Sequence, residues 1–333
     1  MAKISILTPV YNAEKFIKYA IESVLQQTFE DWELICIDDD STDNSLSILK
    51  DYEKIDSRIV VLHQKNSGPL GARRFGFEHS TGDYIIYLDS DDLFSKDLLQ
   101  SLYLKAIESG ADSIAPDMII KYKEKEVSWN KKYHIDIKEE LTGIEGFMET
   151  FPWRKLHNFN LWKKEIFKKS TYHPYLENNN FNADEILQRI LLLNCKKIVY
   201  SNSGAYIHTF NNESLTHVLT ERSFNRLSAN DKLILLGKEN NLKKEQMLKI
   251  YEFAFFCQLK GLMLDLYKSK ENKKLMSFAS NKLKDAYQKY TSFDINNFYG
   301  NKFKDRFKAK IQTSNYYIFK LICALQTTLA PKH

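Results

Sequence analysis

The sequence predicts an α/β protein: a mostly parallel sheet with helices on both faces, followed by a helical C-terminal region. Three observations carry the prediction. Short β-branched runs alternate with amphipathic stretches through the first third of the chain, carboxylates cluster just past two of those runs, and from about Ser223 onward apolar residues recur at helical spacing alone. At 333 residues with 43% hydrophobic content, the chain is long enough for a large core and two domains.

The first element is a buried strand over Ile4 to Val10, closed by Pro9-Val10-Tyr11-Asn12, with Asn12 as N-cap for a helix from about Ala13 to Gln27. Phe16, Ile17, Ala20, Ile21, Val24 and Leu25 give that helix one apolar face. Trp32 to Ile37 reads as a second strand, ending in Asp38-Asp39-Asp40-Ser41-Thr42-Asp43, and Leu46, Leu49 and Tyr52 face inward from the helix after it. Ile59 to Leu62 makes a third strand, and Asn66-Ser67-Gly68-Pro69-Leu70-Gly71-Ala72-Arg73-Arg74 opens another helix whose N-terminus suits phosphate.

The chain is organised around the fourth strand. Tyr84 to Leu88, after Gly82, delivers Asp89, Asp91 and Asp92 at its C-terminal end, where open α/β sheets bind ligands. Carboxylates this close repel unless a cation sits among them, and a hard divalent ion held by one or two carboxylates plus waters and phosphates would satisfy them. The plainer reading is a solvated turn, with Asp92 or Ser95 capping the next helix. The second acidic cluster, at Asp38 to Asp40, favours a shared crevice. There Asp39 is suited to accept hydrogen bonds from a base or ribose, and Arg73 to offset diphosphate charge.

Charge is uneven along the chain. Residues 221 to 333 hold 22 Lys and Arg against 10 Asp and Glu, a balance of +12 in a chain of +5, so the first 220 residues total −7. A basic, aromatic-rich tail suits an anionic surface such as phospholipid or nucleic acid, against the background of a Lys-rich sequence. The opening Met-Ala-Lys-Ile-Ser-Ile-Leu-Thr-Pro is already a strand, so no secretory leader is expected. Cys36, Cys195, Cys257 and Cys323 form no CxxC pair, and a reducing cytoplasm fits.

Several of these stretches together resemble a known family. They are Thr8-Pro9-Val10-Tyr11-Asn12-Ala13, Ser23-Val24-Leu25-Gln26-Gln27-Thr28, Asp38-Asp39-x-Ser41-Thr42-Asp43, Asn66-x-Gly68 with Ala72-Arg73, and Thr81-Gly82-Asp83-Tyr84 leading to Asp89-Ser90-Asp91-Asp92. In series they look like the signature of family 2 glycosyltransferases with the GT-A fold. The resemblance implies inverting transfer from a nucleotide-sugar, usually a UDP-sugar, with Mg or Mn at the DxD motif. By resemblance Pro9, Tyr11, Asp39, Asn66 and Arg73 hold the nucleotide, Asp89 with Ser90 the ribose or metal shell, and Asp91 the metal. His208 becomes a candidate to complete that shell, although a structural histidine explains it as well. Asp40 departs from the pattern where Gly is usual, and Arg74 where Asn is common; Asp tolerates positive φ better than most residues, so the turn can survive.

An inverting transfer needs a general base opposite the leaving group, as in inverting glycosidases. Asp184 and Glu185 open an amphipathic helix, followed by the short strand Lys197 to Tyr200. The resemblance makes this acidic pair the base candidate, with Glu185 favoured by position and Asp184 its rival, although acids in a first helical turn are favoured anyway. Aromatics at Phe151 to His157 and at Leu161-Trp162 are candidates for the acceptor side, or for core.

The domains expected are therefore 1–220, divided into 1–110 for the nucleotide-sugar and 111–220 for acceptor and base, and a basic helical region 221–333. In that region Lys302 to Ile311 spaces Phe303, Phe307 and Ile311 at i, i+4 and i+8 among cations, and Tyr316 to Leu325 is too short and charged for a confident membrane span. The expected partners are a glycan or lipid-linked glycan acceptor in surface-polysaccharide synthesis and, through the tail, the inner membrane face or a second copy. Nucleic acid is not expected. A sugar nucleotidyltransferase is disfavoured because Pro-Val-Tyr-Asn occupies the place of its Gly-rich basic loop, and a binding scaffold without turnover is the other alternative.

Overall fold

The computed structural model describes residues 2–122, 125–129, 139–151, 159–176, 183–209, 219–268, 273–293, 312 and 315–329. The chain forms two compact units, Met1–Asn212 and Glu213–His333, where the sequence places the change at 220.

The first unit is built on a sheet of ten strands: β1 (Ile4–Val10), β2 (Trp32–Asp38), β3 (Ile59–His63), β4 (Tyr84–Tyr87), β5 (Leu93–Phe94), β6 (Ser113–Lys121), β7 (Glu126–Ser128), β8 (Glu140–Leu141), β9 (Leu161–Lys163) and β10 (Ile198–Thr209). Their order is β3-β2-β1-β4-β9-β6-β10-β5, with β7 on β6 and β8 on β10. The β3-β2-β1-β4 block is parallel, β9 runs antiparallel to both neighbours, and β10 is parallel to β6. Leu34, Ile35, Cys36 and Ile37 are consecutive and all fully buried, so both faces of β2 are covered and its run reads as apolar throughout. Helix Gly68–Glu78 lies so close that a Cβ on Gly76 would stand 2.6 Å from Ile37 Cδ1. Helix Ile17–Leu25 packs into the cluster of Ile4, Ile6, Leu34 and Cys36.

Two expectations about elements are corrected. The first helix begins at Ile17 rather than Ala13, and Asn12 does not cap it. Asn12 takes φ 50 and turns its side chain across to the β2 loop, where its Oδ1 accepts the Thr42 N–H at 2.8 Å. A turn, with Phe16 N–H donating to Ala13 O, fills the gap before Ile17. The strand expected to end at Tyr200 resumes after a bulge and runs to Thr209. Gly204 makes this possible, with φ 73 and a Cβ position only 2.7 Å from Leu98 Cα. Asp40 adopts the left-handed conformation its position demands, with φ 69.

The described residues of the second unit are helical: Asn225–Glu239, Lys244–Glu252, a π-turn segment Phe253–Leu259, Lys260–Lys268, Lys273–Thr291 and Tyr316–Leu329. Leu233, Ile234 and Leu236 are buried as their spacing predicts, and Phe255, Tyr287 and Phe319 pack with ring centroids 5.0 to 5.7 Å apart. Tyr317, Ile318 and Leu321 on the last helix are exposed. No helix among the described residues is long and apolar enough to cross a membrane. The Lys302 to Ile311 stretch lies outside them.

Candidate active site

Register brings the loops after β1, β2 and β4 together. Val10 pairs with Asp38 and Leu7 with Tyr87, so three strands end side by side and release their loops into one crevice. Pro9 is half-buried and Tyr11 is 49% exposed at its rim. Asp38 is fully buried and meets His63 Nδ1 at 2.8 Å.

Asp39 holds the mouth of the neighbouring helix. Its Oδ1 accepts Gln64 Nε2 at 2.7 Å and the Ser67 N–H at 2.9 Å, and its Oδ2 accepts the Gly68 N–H at 2.9 Å. An ionised carboxylate offers about four acceptor sites, so the protein itself takes most of them and Oδ2 retains capacity for one more donor. Asn66 is exposed, and its Nδ2 donates to Asp39 O at 3.0 Å, closing the loop from the other side.

Within that helix, Arg73 is 4% exposed and its Nη2 donates to Asp89 Oδ1 at 2.7 Å, with the guanidinium 4.6 Å from the centre of the Tyr87 ring. Ser90 and Asp91 follow, both half-buried. The Asp91 carboxyl is pushed up to about 6 by burial first, then by the charges of Asp92 and Asp89.

Asp92 is no helix cap, and neither is Ser95. The next helix begins at Leu98, and Asp92 is 1% exposed at the hub of a network. It accepts the Tyr206 hydroxyl at 2.9 Å, the Thr209 N–H at 2.9 Å and His208 Nδ1 at 3.0 Å. Tyr206 is fully buried and its hydroxyl also accepts the Asp89 N–H at 3.1 Å, so one side chain holds both ends of the acidic turn. The hydrogen bond to Asp92, then the charges of Asp92, Asp91 and Asp89, raise His208 above its ordinary value against the opposing effect of burial. Sequence reasoning missed Tyr206; its signal was the period of two that places it on one face with His208.

The donor set suits a hard divalent cation: carboxylate oxygens whose mutual repulsion a cation relieves, and a histidine oriented by a carboxylate on its other nitrogen. As arranged, no group of three or more His, Cys, Asp or Glu among the described residues is placed so that it could hold a metal ion. Asp89 is engaged by Arg73, and Asp92 by Tyr206, His208 and Thr209, and Asp91 lies half-buried between them.

The acidic pair is divided. Both residues lie at the start of helix Ala183–Asn194, but Glu185 is 7% exposed and its Oε1 lies 2.8 Å from Arg189 Nη1, itself 2% exposed. Arg189 Nε donates to Thr150 Oγ1 at 3.0 Å, and its guanidinium lies 4.6 Å from the centre of the Phe151 ring. Burial pulls the guanidinium below its ordinary value and Glu185 pulls it back. The preference for Glu185 therefore meets a physical objection: taking a proton there would strand a buried cation. The side chain of Asp184 lies outside the described residues. Trp162 is fully buried and Phe151 lies beneath Arg189, so both are core rather than acceptor surface, while 152–158 lie outside the described residues.

The pattern that defines Glycosyl transferase family 2 matches residues 5–178, more than half of the chain. The chain belongs to that family. The chain is 30% identical to Glycosyltransferase GlyG of Streptococcus pneumoniae serotype 4 over 217 residues, 62% of this chain and 70% of that protein. It is 27% identical to Glycosyltransferase GlyA of the same organism over 256 residues, 75% of this chain but 36% of that protein, so the match spans about a third of the latter's length. Among solved structures, S. aureus TarS 1-349 superimposes with a TM-score of 0.66 at 17% identity, covering 98% of this chain and 88% of that one, which shows the shared GT-A fold. A structure of TarS 1-349 in complex with UDP-GlcNAc matches with the same TM-score.

Proposed function

We propose that this glycosyltransferase moves a sugar from a UDP-sugar to a hydroxyl of a growing surface polysaccharide or lipid-linked glycan, with inversion and with Mg or Mn in the donor site. The observation that carries the donor site is the convergence of Asp89, Asp91 and Asp92 where the parallel strands end, with Asp92 held by Tyr206, His208 and the Thr209 N–H. The UDP-GlcNAc complex of a protein with the same fold supports the choice of UDP-sugar.

Asp91, with Asp89 and His208, would hold the cation, and Tyr206 and Asp92 keep those three in register. When bound, the cation offsets charge developing on the leaving diphosphate. Asp39 takes a base N–H on its remaining Oδ2 capacity, Tyr11 covers the base at the rim, and Arg73 exchanges part of its contact with Asp89 for phosphate oxygens. Asp184 takes the acceptor proton as the acceptor oxygen bonds to the anomeric carbon and the bond to diphosphate breaks on the opposite face. Glu185 holds Arg189 beneath it. The basic second unit, with Tyr317, Ile318 and Leu321 exposed, would rest on the inner membrane surface from the cytoplasmic side, with self-association as the competing use of that face.

The test is thermal stabilisation by nucleotides and UDP-sugars, with and without Mn, on wild type and Asp91→Asn. A ligand at about 100 times its dissociation constant stabilises by about 2.7 kcal/mol. A Mn-dependent shift with UDP-sugars that Asp91→Asn abolishes is the expected result; an equal shift in the variant would remove Asp91 from the site.

A further inference from the structure

Arg73 and Arg74 are consecutive on helix Gly68–Glu78, so their side chains leave it about 100° apart, and they serve different ends of the molecule's first unit. Arg73 turns to Asp89. Arg74 turns to the segment behind the helix, where its Nε donates to Thr171 O at 2.9 Å and its Nη2 to Leu176 O at 3.2 Å. One turn further along, Glu78 accepts the Tyr172 hydroxyl at 2.7 Å. The Tyr172 ring lies 5.8 Å from the Arg74 guanidinium, and burial together with the Glu78 contact pushes its hydroxyl up to about 12.

These three links grip Thr171 to Leu176 from a single helix. The segment leaves helix Lys164–Thr171, turns with the His173 N–H donating to Ser170 O and the Leu176 N–H to His173 O, and precedes helix Ala183–Asn194 in the chain. The helix it leaves is itself tied to the C-terminal end of the acid-bearing helix, about 15 Å along the axis from Asp184, because Asn194 Nδ2 donates to Ser170 Oγ at 3.0 Å. Arg74 is half-buried and burial lowers its guanidinium below the ordinary value, so the contact carries a desolvation cost that a freely solvated arginine avoids. The planar fork reaches two carbonyls five positions apart, which the single ammonium of a lysine does not reproduce.

We propose that Arg74 is a positioning residue: it fixes Thr171–Leu176 against the helix that carries Arg73 and so sets where Asp184 stands relative to the leaving diphosphate. Donor side and acceptor side are thereby joined through two adjacent residues of one helix. The proposal rests on the reading of Asp184 as general base given above.

The test compares wild type, Arg74→Met, Arg74→Lys and Asp184→Asn in the full chain. It reads UDP affinity with Mn, amide hydrogen exchange, and hydrolysis of UDP-GlcNAc, UDP-glucose and UDP-galactose. Both Arg74 variants are expected to keep UDP affinity within about twofold, to exchange faster at residues 171–176 and in the first turn of the helix after Ala183, and to lose kcat by up to about 100-fold at unchanged KM. Arg74→Lys keeps the charge and the stem, so its failure to restore kcat identifies the fork as the requirement. Unchanged exchange at 171–176 in Arg74→Met overturns the proposal, with or without turnover, and so does faster exchange with kcat intact. Full turnover in Asp184→Asn refutes the general-base reading instead, leaving the Arg74 contact to be judged by exchange.

Discussion

Replacing Glu185 by Leu removes the carboxylate that faces Arg189 across 2.8 Å, where the two side chains are 7% and 2% exposed. Breaking a buried ion pair from one side costs about 3 to 5 kcal/mol because the remaining charge stays buried. Arg189 retains the Thr150 hydroxyl, the Glu185 backbone carbonyl at 3.3 Å and the Phe151 ring, so the lower end, about 3 kcal/mol, is the expected loss. In a unit of this size each kcal/mol moves the melting temperature by about 2 to 4 °C, which gives a fall of roughly 6 to 12 °C. Arg189→Met alone also destabilises, whereas the double replacement recovers most of the loss, since an apolar pair of similar volume leaves no stranded charge. The assay is urea unfolding of the four proteins as a double-mutant cycle. A cost below about 1 kcal/mol for Glu185→Leu, or a double variant no better than the worse single one, refutes the assignment of Glu185 to structure.

Three further outcomes are expected. The Asp91 carboxyl stands at about 6 against an ordinary 3.8, so its contribution to stability is present at low pH and lost as pH rises through about 6; in metal-free buffer wild type should lose about 1 kcal/mol more than Asp91→Asn between about pH 5 and about pH 7.5, read by urea unfolding at both. Gly204→Ala places a Cβ 2.7 Å from Leu98 Cα at φ 73 and should cost at least about 1 to 2 kcal/mol in the same assay. Replacing Tyr317, Ile318 and Leu321 together by Ser should weaken sedimentation with phosphatidylglycerol vesicles while leaving binding to neutral vesicles equally poor; loss of a dimer instead, seen by light scattering, assigns that face to self-association.

The parallel block was legible because covered strands must be apolar on both faces and because two of them carry carboxylates just past the last apolar residue, after Ile37 and after Leu88. Asp40 was legible too, since a left-handed position admits Gly, Asn or Asp and little else, and it takes φ 69. What escaped were contacts between residues far apart in the chain. Nothing local to Asp92 announces that Tyr206 and His208 will reach it, and as an isolated turn it reads as a helix cap. Asn12 followed the rules for an N-cap, but a long-range bond to the Thr42 N–H outcompeted the local one. The Glu185–Arg189 pair, at i and i+4 on one helix, was readable in the spacing, but an acid in a first helical turn looks the same whether it faces a ligand or a buried arginine.

The Tyr206 hydroxyl joins two stretches that a loop exchange would treat as separate parts. Grafting the acidic turn of a relative onto this scaffold as residues 89–92 alone would import a buried carboxylate while keeping recipient partners at 206, 208 and 209 that were shaped for another turn. The transplantable unit is discontinuous: the turn after β4 together with the last four residues of β10. Chimeras that respect that unit retain every donor to Asp92, and those that cut through it leave a buried charge short of partners.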